Sequence, residues 1–301
     1  MNAGQRWQAA LAAEKPLQIA GTINAYSALL AEKAGFRAIY LSGAGVANAS
    51  FGLPDLAMTT LADVCEDVRR IAGATELPLL VDADTGWGGA FMIGRAMREL
   101  ARAGAAACHL EDQVAVKRCG HRPGKALVPA GEMCDRLKAA VDGREDDDFA
   151  IMARTDAHAV EGQAAALERA AAYVDAGADM IFAEALTTLD EYREFTAAVG
   201  VPVLANLTEF GRTPLFTVRE LADANVAMAL YPLSAFRAMS AAALAVYGTL
   251  RREGTQQALL GSMQTRDELY EVLGYRAYED RLDELFAAGK EGDPGTGRGE
   301  S

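Results

Sequence analysis

Eight apolar runs of strand length recur along the chain, at residues 17–20, 38–42, 79–82, 107–111, 149–154, 180–184, 203–206 and 226–230. Segments of helical period fall between them, at 60–72, 91–103, 131–141, 162–176 and 189–199, and a short helix over 6–14 precedes the first run. Strands that alternate with helices lie parallel, because each helix carries the chain back to the end where the next strand begins. Ala34-Gly35, Ala103-Gly104 and Ala176-Gly177 punctuate the pattern. Each places a glycine where a helix stop needs a left-handed residue. Pro78 and Pro202 enter strands at their first residues, where no ladder donor is lost.

A doubly wound open sheet and a (β/α)8 barrel both fit alternating α/β elements. The count of eight favours the barrel, and so does the gathering of polar residues at the C-terminal ends of nearly every run. In a barrel those ends form one ring around one site. In an open sheet they spread along an edge and only the switch point is used. Helical patterns at 234–252 and 266–288 add more helix than barrel closure requires. The reading is a single domain over 1–288 with extra C-terminal helices, followed by a tail over 289–301, rich in Gly and charge and predicted to be disordered.

Composition narrows the function. The 42 acidic and 29 basic side chains give a formal charge of −13, which argues against a nucleic-acid surface. A small anionic substrate remains compatible, since a few local Arg and Lys can bind it. The N-terminus is polar and no apolar run nears the roughly 20 residues that span a bilayer, so no membrane segment is expected. Cys65, Cys108, Cys119 and Cys134 lack CxxC spacing, which suits a reduced, cytoplasmic chain.

The strand ends carry the chemistry. Asp82 and Asp84 are two apart, so on a strand they would share a face. Adjacent carboxylates repel unless a cation or proton lies between them, and hard oxygen donors at a barrel mouth suit Mg²⁺ or Mn²⁺. A pair of helix caps is the structural alternative. His109 and Glu111 share a face in the same way, as do Met152 and Arg154, and a guanidinium among carboxylates suits a substrate carboxylate. The turn Ser42-Gly43-Ala44-Gly45 can offer backbone N–H groups to an anion, or be a plain tight turn. Glu184, Asn206, Thr208 and Ser234 close later strands, while Arg237 and Arg266 follow as pocket cations or surface charges. Lys117-Arg118-Cys119-Gly120-His121-Arg122-Pro123 packs a thiol, an imidazole and three cations into one loop. It is either a solvated basic loop or part of the site. Together these features suggest a metal-assisted reaction of a small polycarboxylate through an enolate, with the thiol as proton donor or nucleophile.

These motifs resemble the isocitrate lyase/phosphoenolpyruvate mutase superfamily over residues 17–286. The resemblance extends to Gly21-Thr22-Ile23-Asn24-Ala25, Met152-Ala153-Arg154-Thr155-Asp156 and the stretch from Ala227 to Arg237. It implies cleavage of 2-methylisocitrate to pyruvate and succinate, a step of propionate catabolism through the methylcitrate cycle. It also implies Mg²⁺ on Asp82 and Asp84, with Asp55 and Glu111 in the surrounding shell. Tyr40 would assist loss of the hydroxyl proton, and Cys119 would act as general acid, tuned by Lys117, His121 and Arg122, with Glu111 also in the catalytic group. Ser42, Gly43, Ala44, Cys119, Gly120, Arg154, Glu184, Asn206, Thr208, Ser234, Arg237 and Arg266 would hold the tricarboxylate substrate. The superfamily pattern further implies a homotetramer built from helix-swapped dimers.

The family turn often reads Ser-Gly-Gly-Gly, and Ala44 replaces its middle glycine; a negative φ there would tolerate the methyl group. Isocitrate lyases share the Cys loop but are typically longer. The superfamily's phosphonate mutases and oxaloacetate decarboxylases generally lack the cysteine. Cleavage of 2,3-dimethylmalate would use the same chemistry, and room for one methyl is worth only about 1–3 kcal/mol. A non-catalytic barrel scaffold would be expected to have lost Asp82, Asp84, Glu111 or Cys119, and all four are present.

Overall fold

Eight parallel strands close into a barrel in chain order: β1 (Leu17–Gly21), β2 (Ala38–Leu41), β3 (Leu79–Asp82), β4 (Ala107–Glu111), β5 (Ala150–Thr155), β6 (Met180–Ala183), β7 (Val203–Asn206) and β8 (Met228–Tyr231). The structure, a computed structural model, describes residues 1–117 and 124–290. The fold is the expected (β/α)8 barrel. Every strand matches an apolar run to within two residues at either end. The largest shift is at β8, where the Val226 N–H is spent on the Leu221 carbonyl at the end of the preceding helix and the Asn225 φ is +57°. The strand therefore starts later than the apolar run does.

Alternation along each strand divides the core into two layers. Inward-facing Leu17, Ile19, Tyr40, Leu80, Met152, Phe182, Leu204 and Leu230 fill the barrel. Outward-facing Ile39, Leu41, Val81, Leu110, Ile151 and Ala205 pack beneath the helices. Trp7, on the N-terminal helix Ala3–Ala13, joins the inner cluster at 0% exposure and stops the N-terminal end of the barrel. Gly35, Gly104 and Gly177 have φ of +91°, +110° and +106°, as the helix-stop reading required. Helices Ala90–Ala103 and Ala130–Gly143 approach through glycine: a Cβ on Gly143 would lie 2.2 Å from the Gly94 Cα.

Strand register brings the functional ends to one level. Gly21 pairs with Tyr40, Asp82 with His109, and Glu111 with Arg154.

The chain divides into two units, Met1–Ala242, which holds the whole barrel, and Ala243–Ser301. The long helix Ser234–Glu253 begins in the first. The second contains the 3-10 turn Gln257–Ser262 and the helices Arg266–Leu273 and Tyr275–Lys290. The sequence pattern suggested one helix over 266–288. Gly274 breaks it with a left-handed cap at φ +63°, and Tyr270 stacks on Tyr275 across the break. Most of the predicted disordered tail, residues 291–301, lies outside the described residues. Among the described residues no helix is long and apolar enough to cross a membrane.

Candidate active site

The C-terminal ends of the strands surround a cavity of about 190 Å³ lined by Tyr40, Ser42, Ala44, Asp55, Asp82, Glu111, Lys117, Arg154, Glu184, Asn206, Thr208 and Arg237, among others. Its charges are sorted by local backbone geometry. Asp82 ends β3, where Oδ2 accepts the Gly43 N–H at 3.1 Å and Oδ1 the Asp84 N–H at 2.9 Å. Burial opposes its charge, but His109 when charged, Lys117 and Arg154 outweigh burial and lower its pKa.

Asp84 reaches the same place by a different route from the one the residue spacing suggested. β3 stops at Asp82, and Asp84 sits in a turn with φ +47°. The turn, not strand alternation, brings the two carboxylates together. Burial, and then Asp82, push the Asp84 pKa up to about 6. Lys117, with a side chain 4% exposed, lies 2.5 Å from Asp84 Oδ1 and 2.8 Å from Asp55 Oδ1. Burial opposes its charge, yet Asp82, Asp84, Glu111 and Asp55 more than compensate and keep the ammonium protonated.

The donor set suits a hard divalent cation. Among the described residues no group of three or more His, Cys, Asp or Glu side chains is close enough to hold a metal by itself. Asp82 and Asp84 nonetheless bring two oxygen-donor groups together, and Glu111 Oε1 is buried with no hydrogen-bond partner among the described residues. Gly43 leaves the approach to the pair open, since a Cβ there would lie 3.1 Å from Asp82 Oδ2 and 3.3 Å from Asp84 Oδ1. Carboxylates in excess of nearby cations, with room for water, fit Mg²⁺.

Two strands on, Arg154 Nη2 lies 3.2 Å from Glu184 Oε2 and Nε lies 3.4 Å from Glu111 Oε2. Its guanidinium stands 5.0 Å from the centre of the Phe182 ring. Asn206 Nδ2 donates to Glu184 Oε2 at 3.2 Å. Burial is the chief cause raising the Glu111 pKa, with Arg154 and Lys117 working against it. The Tyr40 hydroxyl lies 2.9 Å from His109 Nε2 and 3.5 Å from Asp82 Oδ2. Burial, then Asp82, raise the Tyr40 pKa well above its ordinary value. Burial also pushes His109 down to about 4, so the pair is neutral at neutral pH.

At the rim, Ala44 lies in the helical turn Gly43–Gly45, outside the set of positive-φ residues, so its methyl group meets no backbone conflict. Thr208 lines the cavity, whereas Ser234 donates its hydroxyl to Glu209 and does not line it. Arg237 Nε lies 3.6 Å from Glu209 Oε2. Arg266 opens the helix Arg266–Leu273 in the second unit. Cys119, Gly120, His121 and Arg122 lie outside the described residues. Reasoning from sequence missed five lining residues, Asn48, Phe182, Leu230, Pro232 and Leu233, and the partnership of Tyr40 with His109. Asn48 sits on the π-turn Val46–Ser50, where the helical period slips, and its Nδ2 donates to the Leu53 carbonyl at 2.7 Å. No residue pattern announces it. Phe182 could have been found from the inward phase of β6.

The family model for phosphoenolpyruvate phosphomutase matches residues 8–250. The chain is 62% identical over 289 residues to 2-methylisocitrate lyase of Shewanella oneidensis, covering 96% of this chain and 99% of that protein. The crystal structure of 2,3-dimethylmalate lyase, a member of the PEP mutase/isocitrate lyase superfamily, matches with a TM-score of 0.85 at 32% identity, covering 100% of this chain and 99% of that one. Phosphonopyruvate hydrolase in complex with oxalate and Mg²⁺ matches with a TM-score of 0.81 at 29% identity, over 95% of this chain and 99% of that one.

Proposed function

Since this chain belongs to the phosphoenolpyruvate phosphomutase family, and within its superfamily is a carbon–carbon lyase, we propose that it cleaves 2-methylisocitrate to pyruvate and succinate with Mg²⁺. The observation that carries this reading is the 62% identity with the S. oneidensis 2-methylisocitrate lyase along 96% of the chain. The pocket's mixture of carboxylates, Arg154 and Lys117 supports it, because a tricarboxylate and a divalent cation need both signs of charge.

Asp82 and Asp84 would hold Mg²⁺, with Asp55 and Glu111 around them. When bound, the ion supplies Lewis-acid charge to the carboxylate and hydroxyl that become pyruvate. The chain's own residues move the protons. Tyr40, whose hydroxyl lies 2.9 Å from His109 Nε2, assists loss of the substrate hydroxyl proton, which leaves to solvent. Burial disfavours a phenolate there, so Tyr40 acts as a neutral hydroxyl that orients and polarises the substrate hydroxyl. The C–O bond becomes the pyruvate carbonyl, and the C–C bond breaks. Its electron pair passes onto the succinate fragment, spread over the adjacent carboxylate. Cys119 then protonates that carbon; an ordinary thiol pKa of about 8.5 leaves it mostly protonated at neutral pH. Lys117 and His121 tune the thiol, while Arg154, Asn206 and Thr208 hold substrate carboxylates.

The same reading makes the protein a cytoplasmic homotetramer of helix-swapped dimers. Supporting it within the first unit is a largely apolar groove of about 390 Å³ that includes Leu30, Ala31, Ala34, Phe36, Ala235 and Met239. Within the second unit, Leu244, Tyr247, Tyr278 and Phe286 are all more than 60% exposed.

A coupled pyruvate-release assay on purified protein tests the reaction, comparing 2-methylisocitrate, isocitrate and 2,3-dimethylmalate. The expected outcome is a clearly higher kcat/KM for 2-methylisocitrate, abolished by EDTA and restored by Mg²⁺. Faster turnover of dimethylmalate would change the substrate and keep the mechanism. Absence of cleavage in all three would reject both.

A further inference from the structure

Arg154 is the buried guanidinium of the pocket, and the group that grips it from behind is Asp156. This carboxylate is fully buried and does not line the cavity. Its Oδ2 accepts from Arg154 Nε at 3.0 Å and its Oδ1 from Nη2 at 3.3 Å, so it holds the guanidinium along one edge. The same Oδ1 accepts from Lys125 Nζ at 2.7 Å, and the Lys125 side chain is only 3% exposed.

Asp156 is anchored in turn. Its backbone N–H donates to Asp112 Oδ1 at 2.9 Å, while the Thr155 and Tyr173 hydroxyls donate to Asp112 Oδ2 at 2.7 and 2.9 Å. Arg169, on the helix Gln163–Asp175, stands 3.7 Å from Asp112 and is doubly bonded to Glu161. A continuous run of ion pairs and hydrogen bonds, joined at the Asp156 backbone N–H, therefore passes from an outer helix to the back of Arg154. Glu111 and Glu184 also pair with Arg154, but both line the cavity that the substrate would enter. A guanidinium gripped along its Nε–Nη2 edge cannot swing about its last side-chain bonds, so its orientation is set before any ligand arrives.

We propose that Asp156 is a positioning residue: it fixes the face that Arg154 presents to a substrate carboxylate, with Lys125 sharing its charge. The proposal deepens the lyase reading and rests on it for the identity of the substrate. Asp156→Asn keeps the shape and removes the charge. The expected result is a KM for 2-methylisocitrate raised about tenfold with kcat within about threefold, because an orienting grip serves bound substrate and transition state alike. Oxalate binding in the presence of Mg²⁺, measured by calorimetry, should weaken by the same factor.

Lys125→Met provides a second route should the Asn variant not fold. It should raise KM by a smaller factor, about threefold, and Lys125→Arg should restore it. A folded Asp156→Asn protein with unchanged KM and oxalate affinity overturns the proposal, as does a loss confined to kcat. If the Asn variant does not fold, an unchanged KM in Lys125→Met overturns it. Wild-type protein that binds oxalate but cleaves none of the three candidate substrates discards the lyase reading alone. Weaker oxalate binding by Asp156→Asn would then still uphold the positioning role.

Discussion

Asp82 and Asp84 are two residues apart in the chain and differ sharply in their ease of ionisation. One receives two backbone N–H groups and is held ionised, while the other is pushed up to about 6 by burial and its neighbour. The raised value reports a repulsion between the two carboxylates that a cation between them would relieve. The proton donor at the other end of the reaction is Cys119. Cys119→Ser should lower kcat at least a thousandfold, to about the level expected when a general acid is lost, while the affinity for oxalate with Mg²⁺ stays within about threefold. Steady-state rates and calorimetry on the same preparation would check this, and near-normal turnover would remove the thiol from the mechanism. Single residues were unevenly legible in the sequence. Glu111 and Arg154 follow from strand period, because β4 and β5 run through them. Asp84 arrived through a left-handed turn, and Tyr40 meets His109 only through register across three strands, which a linear pattern does not carry.

Elements were easier to read than their junctions. Apolar runs located all eight strands, because burial on both faces leaves little polar interruption. Junctions failed where a backbone donor found a competing partner, as at Val226, or where one glycine reversed the chain, as at Gly274. The helix Leu189–Val199 illustrates what a correctly read junction is worth. Thr188 and Glu191 form a reciprocal capping box, and His158 Nε2 lies 3.1 Å from Glu191 Oε1. Partial burial opposes the Glu191 charge, but hydrogen bonds from Thr187, His158 and Thr188 outweigh it and lower the pKa. A lowered folded-state value means that the ionised carboxylate stabilises the protein above the ordinary glutamate pKa of 4.5, and that this contribution is lost as pH falls through the folded value. Glu191→Gln should therefore cost stability at pH 7, on the order of 1 kcal/mol, and flatten the acid limb below about pH 4.5. Urea titrations across that range would measure both effects. An acid limb as steep as wild type's would count against the role given to Glu191.

For the molecule as a whole, eight matching elements made the barrel legible, since closure follows from repetition and needs no one residue. The site's charge balance was not legible, because it depends on which side chains face each other once the barrel has closed. That balance has a global consequence. A ligand that binds only the folded chain stabilises it by mass action, by about 2.7 kcal/mol at a hundred times its Kd. Mg²⁺ and oxalate together should thus raise Tm measurably above either alone, and Asp82→Asn should suppress the gain. Scanning calorimetry with and without EDTA would decide, and equal shifts for both proteins would place the metal elsewhere.

The stopper at the barrel floor gives the molecule an optical property. The sequence contains two tryptophans. Trp7 is sealed at 0% exposure inside the floor, and Trp87 is half-buried in the loop after β3, donating from Nε1 to the Thr59 carbonyl at 3.2 Å. An indole shut away from water emits further to the blue than one in partial contact with it. The two ends of the barrel therefore carry separate fluorophores, and Trp87→Phe would leave emission from the floor alone, so that opening at the site and collapse of the barrel could be followed as distinct signals in one cuvette.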